Sequence, residues 1–341
     1  MGRSSAPPDV QRLQIPSAPF RVFRTTVPIL QRFRTTVPTL ACFYLSRPAG
    51  RPAKQGAFSA FQRGLADPQR LGGPPTQNRL FSNSKVLVEL DEHTGVAVMQ
   101  MKSPPVNSLS LDFLTEFSIS LEKLENNKSC RGVILTSAVP RIFSAGLDIT
   151  EMAGKSEEHY AEFWRAVQEM WLNLYSSSMV TIAVVNGSSP AGGCLMATSC
   201  DYRIMAENPK YSIGLNETQL GIVAPFWFKD TMLNTVGHRC TERSIQLGLL
   251  YPAHEALKIG LVDELVPEEK IQTMAMETMA QWLAIPDHAR QLSKSSLRKP
   301  TVDRLLAHRE ADIQNFVSFI SKDSIQKSLH GYMERLKQRK A

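Results

Sequence analysis

Apolar positions along residues 84–206 follow two periods in alternation. Continuous or alternating apolar runs over 85–89 and 96–101 read as two short strands about a turn at Thr94-Gly95. The runs over 131–136, 180–185 and 202–205 read as further strands, the middle ones of the fully buried kind. Between them the spacing widens to three and four: Leu111, Leu114, Phe117, Leu121 and Leu124 share one helical face, and Phe163, Val167, Met170 and Trp171 share another over about 158–175. A short buried helix is predicted at 194–199. Strand, strand and helix recur in turn, which predicts one mixed α/β body over 84–284. From Phe226 onward the pattern is helical, with helices expected over 241–249, 253–259 and 268–282, then three more over 287–298, 301–308 and 309–338. The apolar set Phe316, Phe319, Ile320, Ile325 and Leu329 suits that last region, 285–341, to packing on a partner or covering a site.

Two glycine-containing segments interrupt this pattern where chemistry becomes possible. Phe143-Ser144-Ala145-Gly146-Leu147-Asp148 and Pro190-Ala191-Gly192-Gly193-Cys194 each follow a strand-like run and precede a helix-like one. Each can present free backbone N–H groups at a helix start, where negative charge is stabilised. Asp148 and Glu151 also have capping-box spacing. Two such turns aimed at one point make an oxyanion hole, and a carboxylate follows in Leu215-Asn216-Glu217-Thr218. A hole plus one base points to chemistry at a carbon beside a carbonyl.

Charge changes the picture only at one end. The 341-residue chain has a net charge of +7, yet residues 1–83 hold twelve Arg and Lys against Asp9 and Asp67, so 84–341 sums to 7 − 10 = −3. The basic, Pro-rich, Glu-free stretch 1–83 reads as a disordered mitochondrial targeting presequence, with Arg79-Leu80-Phe81-Ser82 like a matrix-peptidase site ahead of Ser82. The mildly acidic body argues against a nucleic-acid surface. No run reaches the ~18 to 20 apolar residues of a membrane span. Five cysteines without a C-x-x-C pair suit a reducing compartment, and seven scattered histidines predict no metal site.

Pro104-Pro105-Val106-Asn107-Ser108, Ser144-Ala145-Gly146-Leu147-Asp148, Pro190-Ala191-Gly192-Gly193-Cys194 and Asn216-Glu217-Thr218-Gln219-Leu220-Gly221-Ile222 together resemble the crotonase (enoyl-CoA hydratase/isomerase) superfamily over about 84–341. The resemblance implies a crotonase-like spiral of ββα turns with a C-terminal helical trimerisation region, an acyl-CoA thioester substrate without a cofactor, and a mitochondrial-matrix homotrimer. It assigns the oxyanion donors to the N–H groups of Leu147 and Gly192 and the catalytic base to Glu217. Val106, Asn107 and the run Ser144 to Asp148 are implied to line the pantetheine. Asn216 is expected at the substrate site, either orienting the Glu217 carboxylate or, in preference, capping its turn, and Phe226 and Trp227 are possible acyl-pocket residues, although an aromatic pair opening a helix is more often core. Hydratases of the superfamily carry a second glutamate three residues past the glycine matched by Gly192, and here that position is Leu195. One base suffices to move a proton between two carbons, so conversion of 3-enoyl-CoA to trans-2-enoyl-CoA is expected, with hydration or a non-catalytic RNA-binding role as the alternatives.

Overall fold

The computed structural model describes residues 79–82 and 84–338, the first four as backbone only. The expected leader lies outside the described residues except at its end. Arg79–Ser82 forms strand β1, antiparallel to β2, Val86–Asp91, with Arg79 opposite Leu90. The peptidase-like motif therefore sits in a strand, paired along β2 with Ser82 opposite Leu87.

Strands β3 (Val96–Met101), β4 (Gly132–Ser137), β5 (Val180–Val185), β6 (Tyr202–Ala206) and β7 (Glu264–Val266) continue the sheet in chain order. β1 to β3 pair antiparallel; from β3 onward every pairing is parallel, with Val96 opposite Gly132 and Gly132 opposite Val180. Parallel strands covered on both faces read as unbroken apolar runs, and β4 and β5 are buried along their whole length. Each crossover carries a helix. Leu111–Glu125 is capped by the Ser110 hydroxyl, which accepts from Phe113 N, and Glu157–Tyr175 by Ser156, which accepts from His159 N. Their apolar faces meet the sheet in one core that holds Phe113, Phe117, Phe163 and Trp171.

A second layer makes the sheet a spiral. After β4, β5 and β6 the chain bends into short strands, Arg141–Ile142, Gly187–Pro190 and Ser212–Gly214, which stack side by side in parallel. Tyr251–Pro252 closes that layer antiparallel to the last of them.

The helical end differs from expectation in two places. A single helix, Asp287–Ala307, runs through Pro300 where two helices were expected. Proline removes one N–H from the ladder, but tertiary contacts anchor both sides of it. Lys294 and Arg298 bind Asp201, and Arg304 lies over the Phe226 ring at 4.0 Å. Conversely, the expected 309–338 helix divides into Arg309–Ile320 and Asp323–Gln338. The Gln326 amide compensates at the break by donating to the freed Ile320 carbonyl at 2.8 Å. It also donates to Met152 O at 3.0 Å and accepts from Gly154 N at 2.9 Å, strapping the last helix to the loop after Glu151. No described helix is long and apolar enough to cross a membrane.

Candidate active site

The bends that follow the three stacked short strands fall side by side. Ile142 lies opposite Ser188 and Gly214 opposite Pro190. Phe143 N donates to Ser188 O at 3.0 Å and Ala191 N to Gly214 O at 2.8 Å. Successive turns of the spiral thus deliver Ala145 to Leu147, Pro190 to Gly192, and Asn216 to Glu217 to one place.

The two glycine turns touch. A methyl group added at Gly146 would stand 3.0 Å from the Gly192 nitrogen, and one added at Gly192 would stand 3.2 Å from the Leu147 nitrogen. Gly146 also has φ +88°, which favours glycine. Ala191, at φ +50°, holds a backbone conformation rare for a side-chain-bearing residue, immediately before Gly192. Gly192 opens the helix Gly192–Ser199, so its N–H is among the four that lack an intrahelical partner.

The first turn is not the helix start that its sequence suggests. Gly146–Leu147 pairs in parallel with Ser108–Leu109, and a three-residue 3-10 turn, Ile149–Glu151, follows. The capping box forms only by half. The Asp148 carboxylate accepts from Thr150 N at 2.9 Å, whereas Glu151 turns away to accept from Leu111 N at 2.9 Å and to meet His159 Nε2 at 2.7 Å. The two neighbouring amides are thus one of a strand, Leu147, and one of a helix terminus, Gly192.

Glu217 opens the 3-10 turn Glu217–Leu220 and is 9 % exposed. Neither carboxylate oxygen has a hydrogen-bond partner among the described residues. Burial without a countercharge pushes its pKa up to about 7, opposed only weakly by its own backbone amide. The turn is held rigidly: the Thr218 hydroxyl donates to Ile245 O at 2.8 Å and the Gln219 amide to Gly248 O at 2.7 Å. Glu217 lines a cavity of about 380 Å³ together with Ala145, Leu147, Ala191 and Asn216, and it is the one carboxylate that does so among the described residues. Leu195, at the position of interest for a second acid, is fully buried.

The remaining expected residues separate into two groups. Asn107 and Ser144 face inward and hold the turns together. The Asn107 amide donates to Ser137 Oγ at 2.8 Å and Phe143 O at 2.9 Å, and the Ser144 hydroxyl donates to Asn107 O at 2.8 Å while accepting from Gly146 N at 3.1 Å. Val106 contributes its carbonyl to Ala145 N at 3.0 Å. Asp148 caps its short turn. Asn216 occupies the cap position of its turn without a side-chain bond there; its Oδ1 is buried, has no partner among the described residues and lies beside Glu217 in the lining.

Phe226 and Trp227 do not line the cavity. Phe226 faces Arg304, and Trp227 turns into the core against Trp164 and Trp171, while Phe228 reaches the cavity instead. Helical rotation gives these three neighbours different directions, and only the packing decides which one lines the wall. Sequence reading also passed over Trp164 and Tyr332 as lining residues. The apolar run at 316–329 was the available signal for the C-terminal contribution.

Fold and site together define a class: a ββα spiral that sets one buried, unpartnered carboxylate in a cavity beside two touching glycine turns. The chain belongs to the enoyl-CoA hydratase/isomerase family, which it matches over residues 91–340. It is 63% identical over 276 residues to human "Enoyl-CoA delta isomerase 1, mitochondrial", covering 81% of this chain and 91% of that protein. With the rat protein of the same name it shares 66% identity over 262 residues, or 77% and 91% of the two chains. The crystal structure of human mitochondrial delta3-delta2-enoyl-CoA isomerase superposes with a TM-score of 0.75 at 66% identity, covering 75% of this chain and all 100% of that one. An enoyl-CoA hydratase from Bacillus halodurans shares the fold, with a TM-score of 0.66 at 21% identity over 73% of this chain and 100% of that one.

Proposed function

We propose that the protein is a Δ3,Δ2-enoyl-CoA isomerase that uses Glu217 as its single acid/base group. The observation carrying this reading is that one unpartnered carboxylate, and no second among the described residues, lines the cavity together with Leu147 and Ala191. Hydratase and isomerase share this fold, so fold alone does not choose between them. Hydration requires a water to be oriented and activated while a proton is delivered, for which two acids serve best. Migration of a double bond requires one proton to leave and return.

The steps follow from the groups present. A 3-enoyl-CoA binds with its thioester oxygen on the N–H groups of Leu147 and Gly192, which acidifies the hydrogens on C2. The Glu217 carboxylate takes a C2 proton, and the electron pair delocalises through C3–C4 and onto the thioester oxygen as a dienolate. The amides stabilise that negative oxygen; removing one such donor typically costs about 3–4 kcal/mol of transition-state stabilisation. The Glu217 carboxylic acid then returns the proton to C4, which leaves trans-2-enoyl-CoA and restores the carboxylate. A pKa of about 7 suits a group that must be base and then acid in one cycle. The chemistry draws on no cofactor.

The relatives are named mitochondrial. With the basic composition of 1–83, this supports residence in the matrix as a processed protein. Removal of residues up to Phe81 would take most of β1 and leave β2 at the sheet edge. Assembly as a homotrimer through 285–341 belongs to the same proposal.

The experiment is a direct competition of activities. Purified protein given 3-hexenoyl-CoA is expected to produce conjugated 2-enoyl product, followed by its absorbance. Faster hydration of crotonyl-CoA than isomerisation would reverse the assignment.

A further inference from the structure

The deep end of the cavity is an aromatic wall secured by one carboxylate oxygen. Exposure falls across the lining from Val223 at 67 % to Trp164 at 4 % and Phe228 at 1 %, so the mouth is aliphatic and the floor aromatic. On that floor Trp164 lies face to face with Phe316, ring centroids 3.9 Å apart and planes within 6°, and it also stacks on Phe228. The Trp164 indole N–H donates to Asp312 Oδ2 at 2.8 Å. The same oxygen accepts from Gln168 Nε2 at 2.8 Å and from Trp227 Nε1 at 3.2 Å. Gln168 is in turn fixed by Arg309, whose Nε donates to its Oε1 at 3.1 Å.

The spacing explains the rigidity. Trp164 and Gln168 are one turn apart on Glu157–Tyr175, and Asp312 and Phe316 are one turn apart on Arg309–Ile320. Ring therefore meets ring and amide meets carboxylate across the same pair of helices. Any rotamer change that moved Trp164 out of the cavity would break the stack and the N–H bond together.

We propose that Trp164 is the specificity-determining wall that sets the greatest acyl-chain length the site accepts, and that Asp312 is the positioning residue that holds it there. The inference rests on reading this cavity as the acyl-CoA site. Methylenes that reach the apolar cavity each raise affinity by about fourfold. Methylenes beyond Trp164 have no pocket to enter, so the gain stops.

Calorimetric titration of the full chain with the saturated, unreactive series from butanoyl- to tetradecanoyl-CoA tests this. Wild type is expected to gain affinity with length and then level off. In Trp164→Ala the levelling should begin about two carbons later or more, because the vacated volume lies at the end of the chain. Asp312→Ala should shift it in the same direction, and Asp312→Asn, which keeps an acceptor oxygen, should restore the wild-type profile. Matched 3-enoyl-CoA substrates should show the displaced break in KM.

An unchanged break in folded Trp164→Ala overturns the proposal, as does the absence of any break in wild type. Equal weakening of every length in Asp312→Ala reduces that residue to a structural one and overturns its positioning role. Trp164→Leu carries the same expectation and the same refutation should the alanine variant not fold. A break that moves in a protein that isomerises nothing would sink the isomerase reading alone; isomerisation with an unmoved break would sink this one alone.

Discussion

Asp201 and Glu217 are both carboxylates withdrawn from water on the same spiral, and they are treated in opposite ways. Asp201 accepts from Thr181 N at 3.0 Å and meets Lys294 and Arg298, each at 2.9 Å. Those two cations also reach carbonyls of Met179, Tyr175 and Ser199, so the cluster fastens Asp287–Ala307 to β5 and to the end of Gly192–Ser199. Burial pushes the Lys294 ammonium below its usual range, with Asp201 opposing that shift. Among the described residues Glu217 has no cation beside it and no other residue donating to either oxygen. A buried acid whose charge is balanced holds structure. A buried acid left unbalanced sits near the midpoint of its titration and can exchange a proton, at a cost in stability.

Two substitutions, read in three measurements, sharpen or break that contrast. Glu217→Gln removes the exchangeable proton while keeping shape, and kcat for 3-hexenoyl-CoA should fall by about 10²–10⁴-fold. Retention of activity would show that the unbalanced acid is not the base. Asp201→Ala should instead act on the fold, because it leaves two buried cations without a countercharge; a loss of about 3–5 kcal/mol is expected in urea unfolding. A change below ~1 kcal/mol would mean that the cluster fastens nothing.

The third effect is the smallest and runs the other way. The folded pKa of Glu217, about 7, lies above its ordinary 4.5, so between those values the native state binds more protons than the unfolded one. Its contribution is fully present below about pH 4.5 and is lost as pH rises through about 7. Glu217→Gln should accordingly be more stable than wild type by about 3 kcal/mol at pH 8, with the difference closing at lower pH. Activity has the opposite dependence: kcat/KM should rise through pH about 7 as the carboxylate forms. Identical pH–stability curves for the two proteins would contradict the buried, unpaired state.

Local signals in the sequence were sufficient for much of this. The apolar runs at 96–101 and 180–185 coincide with strands β3 and β5, and the glycines at 146 and 192 mark the place where two backbones meet. Leu195 implies a single acid only through the resemblance to the hydratases, which carry a glutamate at that position. What escaped reading depends on contacts distant along the chain. Pro300 looks like a helix boundary until Asp201 and Phe226 are seen to hold both sides of it. Among Phe226, Trp227 and Phe228 nothing local selects the one that lines the cavity, because Asp312 and Arg304 decide it from other helices. Trp164 escapes reading for the same reason.

The strap at Gln326 has a consequence for biosynthesis. The cavity draws Ala145 to Met152 from the middle of the chain and Asn315 to Tyr332 from its end, with the strap joining them. Glu217 and both glycine turns are synthesised before the helices that roof them, so the cavity is complete only once those last helices have packed on the spiral.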